Sequence, residues 1–73
     1  MIVVLLAEGF EEIEALTPVD MLRRAGCEVK LVGVNSYEVE GSHGIKVRCD
    51  AIADDILLDD VDMAILRLRG LRG

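Results

Sequence analysis

Apolar residues occur along this chain in short runs that predict strands, separated by one longer amphipathic stretch that predicts a helix. Residues 2–6 form a continuous apolar run rich in β-branched side chains, typical of a strand covered on both faces in a parallel sheet. Residues 27–34 partly alternate apolar with polar side chains, and residues 63–66 form a third apolar run. With a helix within residues 7–26, the first two strands predict a βαβ unit, whose crossover should be right-handed.

The stretch between the first two strands begins with a turn and continues as the predicted helix. Gly9 suits the turn, because glycine adopts unusual backbone angles at little steric cost, and Gly26 is a good C-terminal stop. Pro18 removes one helical hydrogen bond, so we expect a kink or a late start to the regular part. The apolar face is expected to comprise Ile13, Leu16, Met21, Leu22 and Ala25.

Beyond the second strand, the pattern predicts shorter elements. Residues 37–40 and 45–49 are interpreted as two short strands around the Gly-Ser-His-Gly turn at 41–44, which suggests a small hairpin added to the sheet. Residues 52–58 mix isolated apolar side chains with aspartates, so we expect an irregular or short helical connection there.

The composition indicates a small aliphatic core that needs further partners. With 73 residues the chain is one domain at most, yet 52% of them are hydrophobic, with one Phe, one Tyr and no Trp. Disorder is therefore unexpected. A chain that is this short and this apolar is expected to have some faces covered by the rest of a longer domain or by a second subunit.

Charge and motif content exclude several classes of function. A net charge of −6 argues against a general nucleic-acid binder, and no apolar run reaches membrane-spanning length. Two cysteines make no disulfide scaffold, and without a basic leader segment the default expectation is a reducing, cytoplasmic setting. No ligand spacing predicts zinc, the aspartates at 54–62 lack the pattern of a calcium loop, and the glycines at 41–44 do not form a phosphate loop. We expect no cofactor and no metal.

Three carboxylates at the predicted helix start are the first candidates for chemistry. Glu11 and Glu12 are interpreted as residues that favour solubility and the helix dipole. Glu14 has the same simple interpretation. However, it follows the carboxyl end of a parallel strand, and sheets of this kind bind ligands at that edge.

Together, four segments resemble the N-terminal part of the DJ-1/ThiJ/PfpI family. They read AEGFEEIEALTPVDMLRRAG, CEVKLVGV, GSHGIKVRCD and, after an acidic stretch, VDMAIL, and the match extends from residue 1 to about residue 66. The resemblance implies a flavodoxin-like α/β fold, a three-layer sandwich with a mostly parallel sheet. Here it would comprise only the N-terminal βαβ unit, the hairpin and one further strand. It also implies a homodimer or other self-association.

The resemblance further implies a site made from a cysteine at a sharp strand-to-helix turn, a glutamate from the first helix and often a histidine. The matching glutamate is Glu14, whereas the cysteine and histidine would lie beyond residue 73. The implied role is cysteine-dependent chemistry on small reactive carbonyls, of glyoxalase or deglycase type, or redox stress protection; some relatives are named for thiazole monophosphate biosynthesis. The alternative is a truncated, non-catalytic fragment that acts as an oligomerising or interaction module.

Residues 67–73 depart from the family pattern. In the family, a strand such as that at 63–66 leads into a Pro-Gly-Gly loop whose amides help to line the site, whereas here three arginines occupy the corresponding stretch. A genuine variant, a truncated chain and a sequence error near a break all fit this departure. We therefore predict two parts, an N-terminal portion of a DJ-1/PfpI-like domain at 1–66 and an atypical arginine-rich tail at 67–73.

The remaining candidates have simpler interpretations. His43 is expected to be an exposed turn residue without a catalytic role. Cys27 is expected in the core, and Cys49 as a small buried apolar residue, with a partly exposed, oxidisable thiol as the alternative. Neither cysteine lies in a sequence like the family's nucleophile turn.

Overall fold

A computed structural model describes residues 1–67, and its central feature is a parallel sheet with one helix packed on it. In chain order the elements are β1 (Ile2–Leu6), α1 (Glu12–Arg24), β2 (Val29–Gly33), β3 (Glu38–Glu40), β4 (Lys46–Arg48), β5 (Ala51–Ile52) and β6 (Met63–Arg67). Two short 3-10 helices, Ala53–Asp55 and Leu58–Asp60, connect β5 to β6. The short helical connection is thus confirmed.

Strand β1 lies at the centre of the sheet. The strand order is β5-β2-β1-β6, and each neighbouring pair is parallel. Ile2 is opposite Val29 in β2 and opposite Met63 in β6. The α/β fold class, the βαβ unit and the third strand are confirmed. Strand β5 was not predicted, because a two-residue strand leaves no periodic pattern to detect.

Helix α1 buries a different face from the one predicted. Ala15 and Val19 are buried, and Leu16 and Leu22 pack against the core, as expected for the latter two. However, the side chains of Ile13 and Met21 are 81% and 64% exposed, and Ala25 is exposed as well. The prediction was wrong for these three positions.

Pro18 lies inside a helix that is assigned without interruption from Glu12 to Arg24. The late start to the regular part, one of the two expectations, was therefore wrong, and the kink stays a prediction. Because proline has no N–H, the carbonyl of Glu14 has no helical donor four residues later. The first turn of α1 thus carries a backbone acceptor that the helix itself does not use.

Strands β3 and β4 form the predicted hairpin, but they pair only with each other, as a separate antiparallel sheet. The expectation that the hairpin adds to the main sheet was wrong. Instead, it is joined to the turn between β1 and α1. Gly9, with φ of +83°, donates its N–H to Glu40 O at 2.8 Å, and Ser42 N–H donates to Phe10 O at 2.8 Å. Phe10 is fully buried beneath this junction.

The other end of α1 is held by an arginine. Arg23 Nη2 donates to the carbonyl of Val29 at 2.9 Å and to the carboxylate of Asp50 at 3.0 Å. The helix is thus fixed to β2 at its C-terminal end and to the hairpin at its N-terminal end.

Strand β6 continues one residue past the predicted end, to Arg67. Residues 68–73, which make up most of the predicted arginine-rich tail, lie outside the described residues, and the division at residue 66 stays a prediction. Among residues 1–67, no helix is both long and apolar enough to cross a lipid bilayer.

Candidate functional site

Glu14 lies in the first turn of α1, just after the carboxyl end of β1, and its side chain is exposed. It lines an open cleft of about 430 Å³ together with Ile13, Thr17, Pro18 and Arg67. The cleft therefore lies between the start of the helix and the carboxyl end of β6. This is the sheet edge at which parallel α/β folds bind ligands.

Arg67 was assigned to the tail by sequence reasoning, yet it ends β6 beside Leu6 of the central strand. Its carbonyl accepts a hydrogen bond from Ala7 N–H at 3.2 Å, which fixes its backbone to the turn before α1. The Nε atom of its guanidinium is buried and has no hydrogen-bond partner among the described residues. No ion pair within 4.0 Å joins Arg67 to Glu14 in this part of the chain.

Glu12 occupies a very different environment from Glu14. It is 6% exposed, and its carboxylate accepts hydrogen bonds from the hairpin turn. The N–H of His43 donates to Oε2 at 2.8 Å, the N–H of Ile45 reaches the same oxygen at 3.4 Å, and His43 Nδ1 lies 2.9 Å from Oε1. We call this set of contacts, between Glu12 and residues 43 and 45, the helix–hairpin junction.

The titration of Glu12 reflects these contacts. Burial alone raises the pKa of a carboxyl, but the hydrogen bonds from the His43 side chain and from backbone N–H groups outweigh it and lower the pKa of Glu12 from 4.5 to about 2. The interpretation of Glu12 as a solubility residue was wrong. The role of Glu12 is structural. The sequence feature that accounts for its burial is the Gly-Ser-His-Gly turn about thirty residues later, and no local pattern connects that turn to the helix start.

His43 and Glu11 lie on the outer side of the junction. His43 is exposed, as predicted, but its ring contacts Glu12, and its Nδ1 lies 3.8 Å from Glu11 Oε1. Ser42 Oγ also contacts the Glu11 carboxylate. The two carboxylates and the imidazole offer ligand atoms within 4.8 Å of one another, close enough to share a cation. The hydrogen bonds already made by Glu12 account for this arrangement without a metal.

The two cysteines are free thiols in contrasting positions. Cys49 is buried, as predicted, and burial together with the neighbouring Asp50 raises the pKa of its thiol. Cys27 is exposed, so the core prediction was wrong; it precedes β2, which begins only at Val29. Cys27 follows the far end of α1, about 15 Å along the helix axis from Glu14. Cys27 is therefore not placed to act with Glu14.

The profile of the DJ-1/PfpI family matches residues 1–67, and the chain belongs to that family. Its structural neighbours share the flavodoxin-like fold predicted from the sequence.

Individual relatives agree with this assignment. The chain is 42% identical over 66 residues to Protein DJ-1 homolog A of Arabidopsis thaliana, covering 89% of this chain and 17% of that protein. It is 29% identical to Deglycase TK1284 of Thermococcus kodakarensis, covering 89% and 39%. The structure of oxidized Toxoplasma gondii DJ-1 matches with a TM-score of 0.80 and 32% identity, covering 90% and 37%. The chain thus spans about two-fifths or less of the length of these relatives.

Proposed function

We propose that the natural polypeptide carrying these residues performs cysteine-dependent chemistry on small reactive carbonyl compounds, with Glu14 as a proton-transferring carboxyl. The observation that carries this proposal is the cleft, which exposes Glu14 at the carboxyl end of the sheet. The likeness to a protein named as a deglycase supports the same class of substrate.

The proposed chemistry assigns Glu14 a role that its surroundings permit. A reactive cysteine supplied by sequence outside these residues attacks the carbonyl carbon, and its thiolate becomes a thioether sulfur. The carbonyl oxygen gains the electron pair and takes a proton from the Glu14 carboxyl, which is left as a carboxylate. Glu14 is available for this proton transfer because it lines the cleft, whereas Glu12 is held by the contacts of the helix–hairpin junction.

The test compares Glu14→Gln with Asp20→Asn in the natural polypeptide that carries residues 1–73. Both variants replace a carboxylate of α1 by an amide, but Asp20 is exposed and pairs with Arg24 outside the cleft. We expect Glu14→Gln to lower the turnover of methylglyoxal about 100-fold or more and Asp20→Asn to change it less than twofold. Unchanged turnover in Glu14→Gln would remove Glu14 from the mechanism.

A second candidate function is self-association through uncovered apolar surface, with or without catalysis. Strand β6 lies at the sheet edge in the described residues, and Met63 and Leu66 on it are 54% and 57% exposed. Edge strands with apolar side chains pair readily with another chain. We propose a homodimer, with the small-molecule site retained if the remaining domain is present.

The self-association proposal is tested by analytical ultracentrifugation at micromolar concentration. We expect a species heavier than one chain, and Leu66→Lys should shift it toward the monomer, whereas the exposed but remote Met21→Lys should not. A stable monomer would contradict the proposal.

We also propose a reducing, cytoplasmic setting for the protein. The observation that supports it is that both cysteines are free thiols.

A further inference from the structure

The guanidinium of Arg67 is the feature of the cleft that the proposed chemistry leaves unused. Register with β1 places Arg67 beside Leu6, whose side chain is buried in the core beneath α1. Arg67 also lines the cleft, and its Nε atom is buried with no acceptor among the described residues. Guanidinium stays charged at all ordinary pH values, and a buried donor without an acceptor carries a desolvation cost.

We infer that this cleft binds small monocarboxylates, with Arg67 as the residue that receives the carboxylate. Nε–H and the adjacent Nη–H of a guanidinium form a fork that matches the two oxygens of a carboxylate. A carboxylate bound side-on would supply the acceptor that Nε lacks. This inference rests on the proposed function only in that it uses the same cleft, and it adds an anionic class of carbonyl compound to the neutral one whose turnover is tested there.

Charge in the cleft selects against more highly charged anions. Glu14 lines the same cleft and carries a negative charge whenever it is ionised, so a dianion such as phosphate meets more repulsion than a monoanion. The net charge of −6 acts in the same direction. A ligand with a single carboxylate, opposite Arg67, and an otherwise uncharged body avoids this repulsion.

Size and lining narrow the class further. A volume of about 430 Å³ falls in the range of small-molecule sites. Ile13 and Pro18 offer apolar surface for a short alkyl group, and Thr17, three residues after Glu14 on the helix, offers a hydroxyl that can donate to a carbonyl oxygen. Short 2-oxo monocarboxylates have this arrangement of carboxylate, carbonyl oxygen and alkyl end.

The experiment measures binding of pyruvate to the natural polypeptide by two-dimensional NMR, following the side-chain Nε–H signals of the arginines. Pyruvamide serves as the uncharged counterpart of pyruvate, and inorganic phosphate as the competing anion. The Arg67 signal is identified by its loss in Arg67→Lys, because lysine has no Nε–H group. We expect pyruvate, and not pyruvamide, to shift this signal, with phosphate binding at least tenfold more weakly than pyruvate.

Two matched variants locate the effect. Arg67→Gln should weaken pyruvate binding at least tenfold, whereas Arg48→Gln, which removes the same charge from the hairpin where Arg48 lies over Tyr37, should change it less than twofold. Glu14→Gln should strengthen pyruvate binding severalfold by removing the opposing charge. Backbone amide spectra establish that each variant is folded.

Three outcomes would overturn the inference: equal binding of pyruvate and pyruvamide, equal effects of Arg67→Gln and Arg48→Gln, or a shift confined to other arginines. If Arg67→Gln does not fold, the direct Nε–H shift in the unmodified protein and the effect of Glu14→Gln still decide the question. Failure here is distinct from failure of the proposed function, because Glu14→Gln is expected to lower turnover about 100-fold or more while improving carboxylate binding.

Discussion

Two sides of the first turn of α1 give their glutamates opposite environments. Glu12 points into the helix–hairpin junction, where it is buried and accepts hydrogen bonds from His43 and Ile45. Glu14, two residues later, lines the open cleft and makes no ion pair with Arg67. Residues two apart on a helix face different directions, so a single acidic helix start serves one structural and one chemical purpose.

The difference teaches that acidity alone does not identify the functional carboxylate. The buried group, Glu12, whose pKa is lowered, is the one whose oxygens are already used by the fold. The more exposed group keeps its oxygens available for a ligand. A perturbed pKa therefore does not by itself mark a functional site, because structural networks also perturb pKa values.

The largest expected effect is on stability, from Glu12→Ala. This change leaves the N–H groups of His43 and Ile45 without their acceptor and opens a void beside Gly41, so the midpoint of thermal unfolding should fall by roughly 10 °C. Glu14→Ala, at an exposed position, should change it by roughly 2 °C or less. Similar shifts in both variants, measured by circular dichroism, would break the comparison.

A second large effect is expected from Gly41→Ala. A Cβ atom at this position would lie 2.5 Å from the Glu12 carboxyl carbon and 2.8 Å from its Cγ, so the buried side chain must move and lose hydrogen bonds. In the Glu12→Ala background the obstruction is absent. Denaturant unfolding of the four proteins should therefore show that Gly41→Ala is costly alone and nearly neutral in the double variant. Additive effects would contradict the contact.

An effect of intermediate size is expected on the pH dependence of stability. Because the folded pKa of Glu12, about 2, lies below its ordinary value of 4.5, the contribution is fully present above pH 4.5 and is lost as the pH falls toward 2. Urea unfolding at pH 5, 4, 3 and 2 should show a steeper loss for the unmodified protein than for Glu12→Gln. Parallel curves would mean that other carboxylates account for the loss.

The smallest effect is expected from His43→Ala. It removes the ring contact to Glu12 Oε1 but keeps both backbone donors, and the ring is exposed. The cost should be about 1 kcal/mol or less. His43→Gln, which can still donate to Oε1, should recover part of it. A loss as large as that of Glu12→Ala would show that the ring, rather than the backbone, holds the junction.

Much of the fold followed from local pattern. The apolar run of β1, the βαβ unit, the hairpin and β6 each carry their signal within a few adjacent residues, and all are present. The predicted helix face was wrong because it included Ile13 and Met21, which are exposed, and left out Ala15 and Val19, which are buried. The period-3.6 stripe through Ala15, Val19 and Leu22 is in the sequence and is the face that packs.

The candidate site was less predictable. The family resemblance pointed to Glu14, and its role stays a prediction. Burial of Glu12 depends on donors from residues 43 and 45, which reach it only after the chain has folded back. Arg67 was assigned to an atypical tail because its neighbours in sequence are unusual. Its place beside Leu6 depends on the pairing of β6 with β1, which is a tertiary property.

The central position of β1 has a consequence for biosynthesis. Its partner β6 follows about sixty residues later, so Ile2 cannot pair with Met63 until nearly all of this segment has been made. At ordinary translation rates this delay is roughly 3–12 s, which is long compared with hydrophobic collapse. A nascent chain of this kind therefore carries an aliphatic strand edge without its β6 partner for seconds.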